Sequence, residues 1–364
     1  MMDGSPQPTT AEAPFDSPER ADVVLRSSDK VDFYVLKAFL AFSSPVLRDK
    51  FAESSSSTQG LHPVFSVKAG SGALRVVLLL CYPRMQPRLE NTNEIIAAYA
   101  VAQGFKMEAV MKELEEMLLM PAVMKQEPLR IFAIAIWRGW ERIGMLAAKK
   151  TLALPFILGE FTISKELTLI TGSDILHLFE YRQKCVQAIC DWFINNNLGY
   201  ENPKLWKPDS GGHSANCMKP GNTLELGEYW HLPGTLPFFR ISDKAELTPF
   251  NLSSYYRRPG WWLDYVGKLL TELYLCPSPS TVLDDRLSDK AILAATNPHL
   301  ACPTCCTNVH LNLKKFKVEF AKAIEEEISK VCLSSGFCRR RDLVETQVSG
   351  SELMTDTTEH RLHS

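Results

Sequence analysis

Three cysteines are the residues best placed to do chemistry, and the chemistry that they suit is zinc binding. Cys302-Pro-Thr-Cys305-Cys306 has the two-residue gap that lets two thiolates reach one ion, with His299 and His310 nearby. A structural zinc ion needs four ligands, and the sequence has no second Cys-x-x-Cys pair to complete the site. The remaining ligands would have to come from the distant cysteines Cys185, Cys190, Cys217 or Cys276. The alternative is a loop with buried, inert thiols, and we predict no metal-binding residue.

The sequence patterns for a catalytic site are weaker than the pattern for a zinc site. Gly70-Ser71-Gly72 lies between a predicted strand and a predicted helix, but it lacks the Lys-Ser/Thr and the glycine spacing of a phosphate-binding loop. A helix cap is the favoured interpretation. The sequence has no Gly-x-Ser-x-Gly, His-Glu-x-x-His or kinase-like pattern, and its scattered histidines do not by themselves make a base with an orienting partner. We therefore predict no catalytic residue, no cofactor-binding residue and no cofactor.

Two further clusters allow two interpretations each. Tyr255-Tyr256 and Trp261-Trp262 flank Arg257-Arg258 after a Pro/Gly-rich stretch, which is typical of binding surfaces and also of packing between helices. Packing is favoured, because aromatic residues dominate cores as well. The run Cys338-Arg339-Arg340-Arg341 suits part of a nuclear address or a solvated tail.

Charge and composition exclude some classes of partner. Lysine and arginine number 40 against 42 acidic residues, so no strong field is available to bind nucleic acid or an anionic lipid surface. The most apolar runs, residues 76–81 and 129–137, are shorter than the roughly 20 residues that cross a bilayer. Residues 1–20 lack the pattern of a secretory signal, and ten cysteines without one are typical of reduced thiols. We expect the cytoplasm or the nucleus.

The N-terminal third has the pattern of a small α+β unit. Residues 1–20 are rich in Pro, Ser and Thr and predict a flexible leader. Apolar alternation over residues 21–36 predicts a β-hairpin, followed by paired helices over residues 37–51 and a third strand over residues 63–67. Three helices then end at Pro121. We predict one domain over residues 21–120, in which helices cover a small sheet, and we expect a fragment of residues 20–120 to fold alone.

The remaining chain is mostly α-helical by pattern. Over residues 121–332, helices are predicted from Pro128 through Ile143, over residues 173–193 and over residues 313–331. The stretch near residues 200–260 lacks a sustained period and predicts a long loop-rich insertion. Residues 333–364 are polar and predict a disordered tail.

The N-terminal pattern resembles the opening of BTB/POZ domains. The residues that carry it are Asp22-Val-Val-Leu-Arg-Ser-Ser and Val31-Asp-Phe-Tyr-Val-Leu-Lys-Ala-Phe-Leu-Ala-Phe-Ser-Ser-Pro-Val-Leu-Arg-Asp-Lys-Phe51. Leu80-Cys-Tyr-Pro83 and Glu127-Pro-Leu-Arg-Ile-Phe-Ala-Ile-Ala135 are similar to a large fungal set of BTB proteins with a helical C-terminal region. The resemblance spans about residues 21–330. It implies an N-terminal BTB/POZ fold, a helical region after it, and an adaptor that binds other proteins.

The resemblance also has departures that bear on partners. Val35-Leu36-Lys37 stands where many BTB domains carry Ala-His-Lys, which puts any function of that pocket in doubt. Residues 1–20 show no extra helix, which disfavours a domain-swapped dimer, and the oligomeric state stays open. Phe51-Ala52-Glu53 matches only loosely the hydrophobic-x-acid motif of cullin-type ubiquitin-ligase adaptors. A cullin-type ligase is therefore one candidate partner among unidentified proteins.

Two other hypotheses belong to different classes. One is a transcription-linked regulator in the nucleus, although the sequence has neither a zinc-finger pattern nor a basic face. The other is a zinc-binding enzyme in the C-terminal region that uses residues 205–310 as its pocket. Metal analysis of the purified protein separates this enzyme from an interaction protein.

Overall fold

The structure is a computed structural model that describes residues 7–53, 62–89, 91–155, 165–193, 259–297, 302–333 and 354–355. The chain divides into two compact units, residues 1–147 with 338–364, and residues 148–337. The first unit contains the domain predicted over residues 21–120 and continues through further helices. Arg130 and Arg138 explain this, because their guanidinium groups donate to Asn93 Oδ1 at 2.6 Å and Gln103 Oε1 at 2.7 Å. These bonds join later helical residues to the N-terminal domain.

A five-stranded sheet in the order β1-β3-β2-β4-β5 forms the centre of the first unit. The strands are β1 (Thr9–Thr10), β2 (Val23–Arg26), β3 (Val31–Val35), β4 (Val64–Val67) and β5 (Met354–Thr355). The predicted hairpin is confirmed, since β2 and β3 pair antiparallel with Leu25 opposite Phe33. The predicted third strand is confirmed as β4, which runs parallel to β2. Alternation sends Leu25, Phe33 and Phe65 to the buried face of the sheet.

Helices cover that face. In the first unit they are α1 (Lys37–Ser43), α2 (Pro45–Glu53), α3 (Ser71–Cys81), α4 (Thr92–Gly104), α5 (Glu108–Leu118), α6 (Pro121–Gln126) and α7 (Pro128–Arg138). The paired helices and the three that follow β4 are confirmed. The first five bury apolar side chains in the core, as Leu40, Leu47, Leu74, Ile95 and Leu114 are fully buried. The predicted α+β class is correct for this unit.

Residues 7–20 differ from the predicted flexible leader. They form β1 and a 3₁₀ helix (Pro18–Arg20), and Phe15 is 0% exposed. The Phe15 ring packs edge-on against Tyr82 with centroids 5.3 Å apart, and Arg75 donates to the carbonyls of Glu12 and Ala13. Proline-rich composition favours extended backbone, but one buried aromatic ring and an arginine fix that backbone against the sheet. The segment is therefore part of the domain.

Ser44 joins the paired helices to the rest of the core. Its Oγ accepts from the N–H of Leu47 at 3.1 Å as the cap of α2, and it donates to the carbonyl of Phe105 at 2.6 Å. We expect Ser44→Ala to lower the free energy of unfolding by about 1–3 kcal/mol, because both the cap and a buried carbonyl's donor are lost. Urea denaturation measures this.

Ser43→Ala is the matched control for Ser44→Ala. Ser43 Oγ donates to the Phe39 carbonyl of its own helix at 2.9 Å and also hydrogen-bonds the Cys81 thiol, but it caps no helix. The control should therefore lower the free energy of unfolding by less than Ser44→Ala does, by at most about 1 kcal/mol. Equal losses from the two variants would contradict a bridging role for Ser44.

The helix predicted from Pro128 through Ile143 is wrong as a single helix. α7 ends at Arg138, and a second helix, α8 (Glu141–Thr151), follows. Gly139 between them has φ 71°, the left-handed conformation that favours glycine and that ends a helix. The apolar period continues across the break because both helices contribute to a core, so periodicity alone does not reveal it.

The second unit is helical. Its helices include α9 (Gly172–Phe193), α10 (Gly260–Leu275), α11 (Pro279–Leu283), α12 (Asp285–Ala295) and α13 (Pro303–Lys330), with a short 3₁₀ helix at Lys165–Leu169. The predicted helix over residues 173–193 is confirmed as α9. α13 begins at Pro303, earlier than the predicted residue 313, because proline suits the first turn and Cys305 and Val309 continue its buried stripe. α13 packs against α9, α11 and α12.

Two predicted segments lie largely outside the described residues. These are the loop-rich insertion near residues 200–260 and the tail over residues 333–364, apart from the residues at their ends. Within that tail, Met354–Thr355 form strand β5, which a disordered tail does not predict. Among the helices in the described parts of the chain, none has the length and apolar character to span a membrane.

Candidate protein-interaction surface

An aromatic side chain stands almost fully in solvent on the first unit. Phe42 in α1 is 95% exposed. Ala38 and Pro45, close to it in sequence, are exposed, and Ala41 and Val46 are half-exposed, so α1 and the start of α2 together present several apolar residues to solvent. We call these five residues the Phe42 surface. Charged Arg48 and Asp49 lie exposed at its border. An apolar centre with a charged rim is the arrangement of protein-protein interfaces.

The helices that carry the Phe42 surface are firmly anchored. Leu40 and Leu47 are completely buried on the opposite faces of α1 and α2. Where α1 begins, the N–H of Leu36 donates to Tyr82 Oη at 2.8 Å and the N–H of Lys37 donates to Asp22 Oδ1 at 2.6 Å. The Phe39 ring packs on Tyr82 with centroids 4.7 Å apart. A partner thus meets Phe42 on a preformed support, which lowers the ordering cost of binding.

The exposure of the Phe42 ring to water makes it a candidate anchor for a partner. Burying a phenylalanine side chain contributes about 1.5–3 kcal/mol, and an exposed ring forgoes all of this in the isolated chain. Single exposed apolar residues are common on protein surfaces, but here the neighbours are apolar too. Aromatic anchors surrounded by small contacts dominate the energy of many interfaces. This arrangement is suited to binding another protein.

The cysteines singled out from the sequence lie in the second unit. Cys302 is the N-cap residue of α13, and Cys302 and Cys305 are both buried. Trp261 Nε1 donates to Cys305 Sγ at 3.2 Å, and the Cys306 thiol donates to the Ala295 carbonyl at 3.7 Å. His310 is exposed on α13, and His299 lies outside the described residues. The described residues include no group of three or more His, Cys, Asp or Glu side chains that could hold a metal ion.

The distant cysteines have separate environments. Cys185 is buried in α9, and Cys276 follows α10, while Cys217 lies outside the described residues. Burial raises the pKa of the Cys185 and Cys190 thiols to about 11, so both stay protonated at neutral pH. A protonated thiol is a poor nucleophile and a poor metal ligand. In this geometry the two thiols act as small hydrophobic groups.

The described members of the aromatic and glycine clusters have structural roles. Trp262 is buried and its ring meets Phe316 edge-on with centroids 4.8 Å apart, which confirms packing for that residue. Residues 255–258 and 338–341 lie outside the described residues. Gly70 is the N-cap of α3, and Ser71 donates from its N–H and its Oγ to Asp29 at 2.9 and 2.6 Å. A carboxylate of the chain itself thus occupies the helix start that a phosphate would need.

In Phe51-Ala52-Glu53, the loose match to the motif of cullin-type adaptors, the first residue is buried. Phe51 is only 6% exposed, and its ring packs against Phe65 with centroids 5.2 Å apart. A partner cannot use that ring without opening the core. The sequence patterns did not single out Phe42, although the spacing of Leu40 and Phe42 indicates that one of them is exposed. Leu40 and Phe42 are two positions apart in one helix and so point in opposite directions, and only one of them can face the core.

Comparison with known protein families gives a match for the N-terminal part of the chain. The family model of the BTB/POZ domain matches residues 12–120. The N-terminal domain is a BTB/POZ domain. Its match begins before residue 21, in agreement with the ordered segment around Phe15, and includes the Phe42 surface. BTB/POZ domains are protein-interaction modules and are not enzymes. A search of curated proteins found no match to the chain.

Proposed function

We propose that this protein is an adaptor that binds another protein through the Phe42 surface of its BTB/POZ domain. The observation that carries the proposal is the 95% exposure of Phe42 among the apolar residues of the Phe42 surface on anchored helices. The partner we propose is a protein that offers an apolar pocket for one aromatic ring, bordered by polar groups that face Arg48 and Asp49. The proposed location is the cytoplasm or the nucleus, as expected from composition.

Finer features of the proposal rest on the sequence resemblance. We propose kinship with the fungal BTB proteins that carry a helical C-terminal region, in which that region either extends the interaction surface or binds a second protein. A cullin-type ligase remains within the proposed class of partners, but its contact would have to use residues other than the buried Phe51. The transcription-linked and zinc-enzyme hypotheses gain no support from the geometry of the described residues.

The test is capture of binding partners with the full chain and two charged variants. Phe42→Asp places a carboxylate in the middle of the Phe42 surface, and desolvating it against an apolar pocket is costly. Leu293→Asp is the control, because Leu293 is also exposed, at 72%, but lies on α12 of the second unit. We expect Phe42→Asp to reduce the amount of captured partner at least about tenfold, while the control retains it.

Both variants should fold like the wild type, since neither side chain is buried. Light scattering of each variant shows whether the partner is a second copy of the chain, in which case Phe42→Asp halves the measured mass. Capture that is equal for Phe42→Asp and the wild type, with no change of mass, would remove the Phe42 surface from the proposal. Amide hydrogen exchange of β2 and β3 confirms that the domain itself is intact.

A further inference from the structure

The two edges of the BTB/POZ sheet are covered in different ways. On the β3 side, the N-terminal segment is bonded along the strand: the Ala11 N–H donates to the Asp32 carbonyl at 2.9 Å and the Tyr34 N–H donates to the Phe15 carbonyl at 3.0 Å. Phe15 then anchors that segment in the core. On the β4 side, the cover is β5, a strand of two residues from near the end of the sequence. Among the residues that the structure describes, the β4 edge is thus covered by fewer strand residues than the β3 edge is.

The hydrogen-bonding groups of β4 can be assigned to its two sides. The Val24 N–H donates to the Pro63 carbonyl at 3.0 Å, and Val24 lies opposite Val64 in the parallel pair with β2. Because successive residues of a strand direct their N–H and C=O groups to alternate sides, Phe65 bonds to β2 while Val64 and Ser66 present theirs to the outer edge. β5 pairs with Ser66 and Val67 only, with Thr355 opposite Ser66. In the described strands, the outward groups of Val64 have no strand opposite them.

We propose that the outer edge of β4 is a second binding site, which takes an extended peptide segment of a partner protein as an added antiparallel strand. Exposed strand edges bind peptides in this way through main-chain hydrogen bonds. The segment would pair with Ser66 and Val64 together and so make more bonds than β5 does. β5 is then a built-in competitor for the site. This site is separate from the Phe42 surface and does not depend on it.

The outer edge of β4 also restricts which residue types the bound peptide segment can carry. The Val64 side chain is exposed and Ser66 is half-exposed, and both lie on the sheet face away from the buried Phe65 and Val67. The charged neighbours on that face, Arg26 and Asp32, already pair with each other at 2.6 Å. An uncharged, β-branched or aliphatic residue opposite Val64 therefore fits best. The segment must be free of proline where its N–H faces β4.

The test uses the full chain and a fluorescent peptide of residues 350–358 as the probe. Thr355→Pro removes the N–H that β5 directs at Ser66, and so releases the site. Met354→Pro is the matched control, because the N–H of Met354 faces away from β4 in this register. We expect the Thr355→Pro chain to bind the probe at least about tenfold more tightly than the wild type or the Met354→Pro chain does.

A modified probe and an exchange measurement locate the site. A peptide N-methylated at the position of Thr355 should fail to bind, whereas one N-methylated at the position of Met354 should bind. The unmodified probe should protect the amides of Val64 and Ser66 from hydrogen exchange and leave that of Phe65 unchanged. Absence of probe binding to the Thr355→Pro chain, or equal binding of the two N-methylated peptides, would overturn the proposal.

Discussion

Phe15→Ala is expected to destabilise the BTB/POZ domain by about 3–5 kcal/mol, the usual loss for a phenylalanine truncated in a core. Phe15 is 0% exposed, and its ring contacts Phe33 of the sheet as well as Tyr82 of the segment after α3. Its loss also frees the backbone that covers the edge of β3. The measurement is urea dependence of hydrogen exchange at β2 and β3 amides, since a two-unit chain need not unfold in one step.

Phe42→Ala is the control for this prediction, with the same change of side chain at an exposed site. Phe42 is 95% exposed, so its truncation should alter the free energy of unfolding by at most about 0.5 kcal/mol.

Fragments of the chain test the same N-terminal segment. A fragment of residues 20–120 lacks Phe15 and the N-terminal cover of the sheet. We expect it to be less stable than a fragment of residues 7–147. Similar stability of the two fragments, or of the two Phe→Ala variants, would contradict an integral N-terminal segment.

Arg182→Met is expected to destabilise the second unit by about 2–5 kcal/mol, because it leaves buried carbonyls without their donor. Arg182 is buried in α9 and donates to the carbonyls of Thr151 at 3.2 Å and Leu154 at 2.9 Å, and also to that of Leu275. One guanidinium group therefore holds the ends of α8 and α10 against α9. Burial lowers the pKa of Arg182, as expected for a desolvated cation.

The control for Arg182→Met is Arg286→Met in the same unit. Arg286 pairs with Asp284 at 2.5 Å on the surface, where its side chain is 86% exposed. Exposed ion pairs contribute little, so we expect no measurable change. Arg182→Lys should rescue only part of the loss, because an ammonium group lacks the planar fork that reaches separate carbonyls. Hydrogen exchange of α9 amides measures all three variants, and an Arg182→Met chain as stable as the control would contradict the bridging role.

Much of the BTB/POZ domain follows from local sequence patterns. The hairpin is predictable because Val23, Leu25, Phe33 and Val35 alternate, and α2 because Ser44-Pro45 combines a cap with a first-turn proline. α9 is predictable from its sustained apolar period. These signals are local, since each depends on residues within a turn or two of one another.

The features that local patterns missed depend on contacts between distant residues. Phe15 lies in a proline-rich stretch, and the contacts that order this stretch, among them the packing of Phe15 on Tyr82, come from far along the chain. Arg182 and the pairing of β5 with β4 likewise join residues far apart in sequence. Gly139 is different, because it lies inside the predicted helix and is itself a local stop signal, which the continued apolar period concealed. The Phe42 surface needed the burial of Leu40 to be known first.

The most direct test of the proposed function is photo-cross-linking from position 42 of the full chain. A photoreactive phenylalanine analogue replaces Phe42, and the same analogue at Leu293, on the exposed face of α12, serves as the comparison. Binding through the Phe42 surface predicts a discrete adduct with another protein chain from position 42 and none from position 293. Equal or absent adducts at the two positions would contradict it.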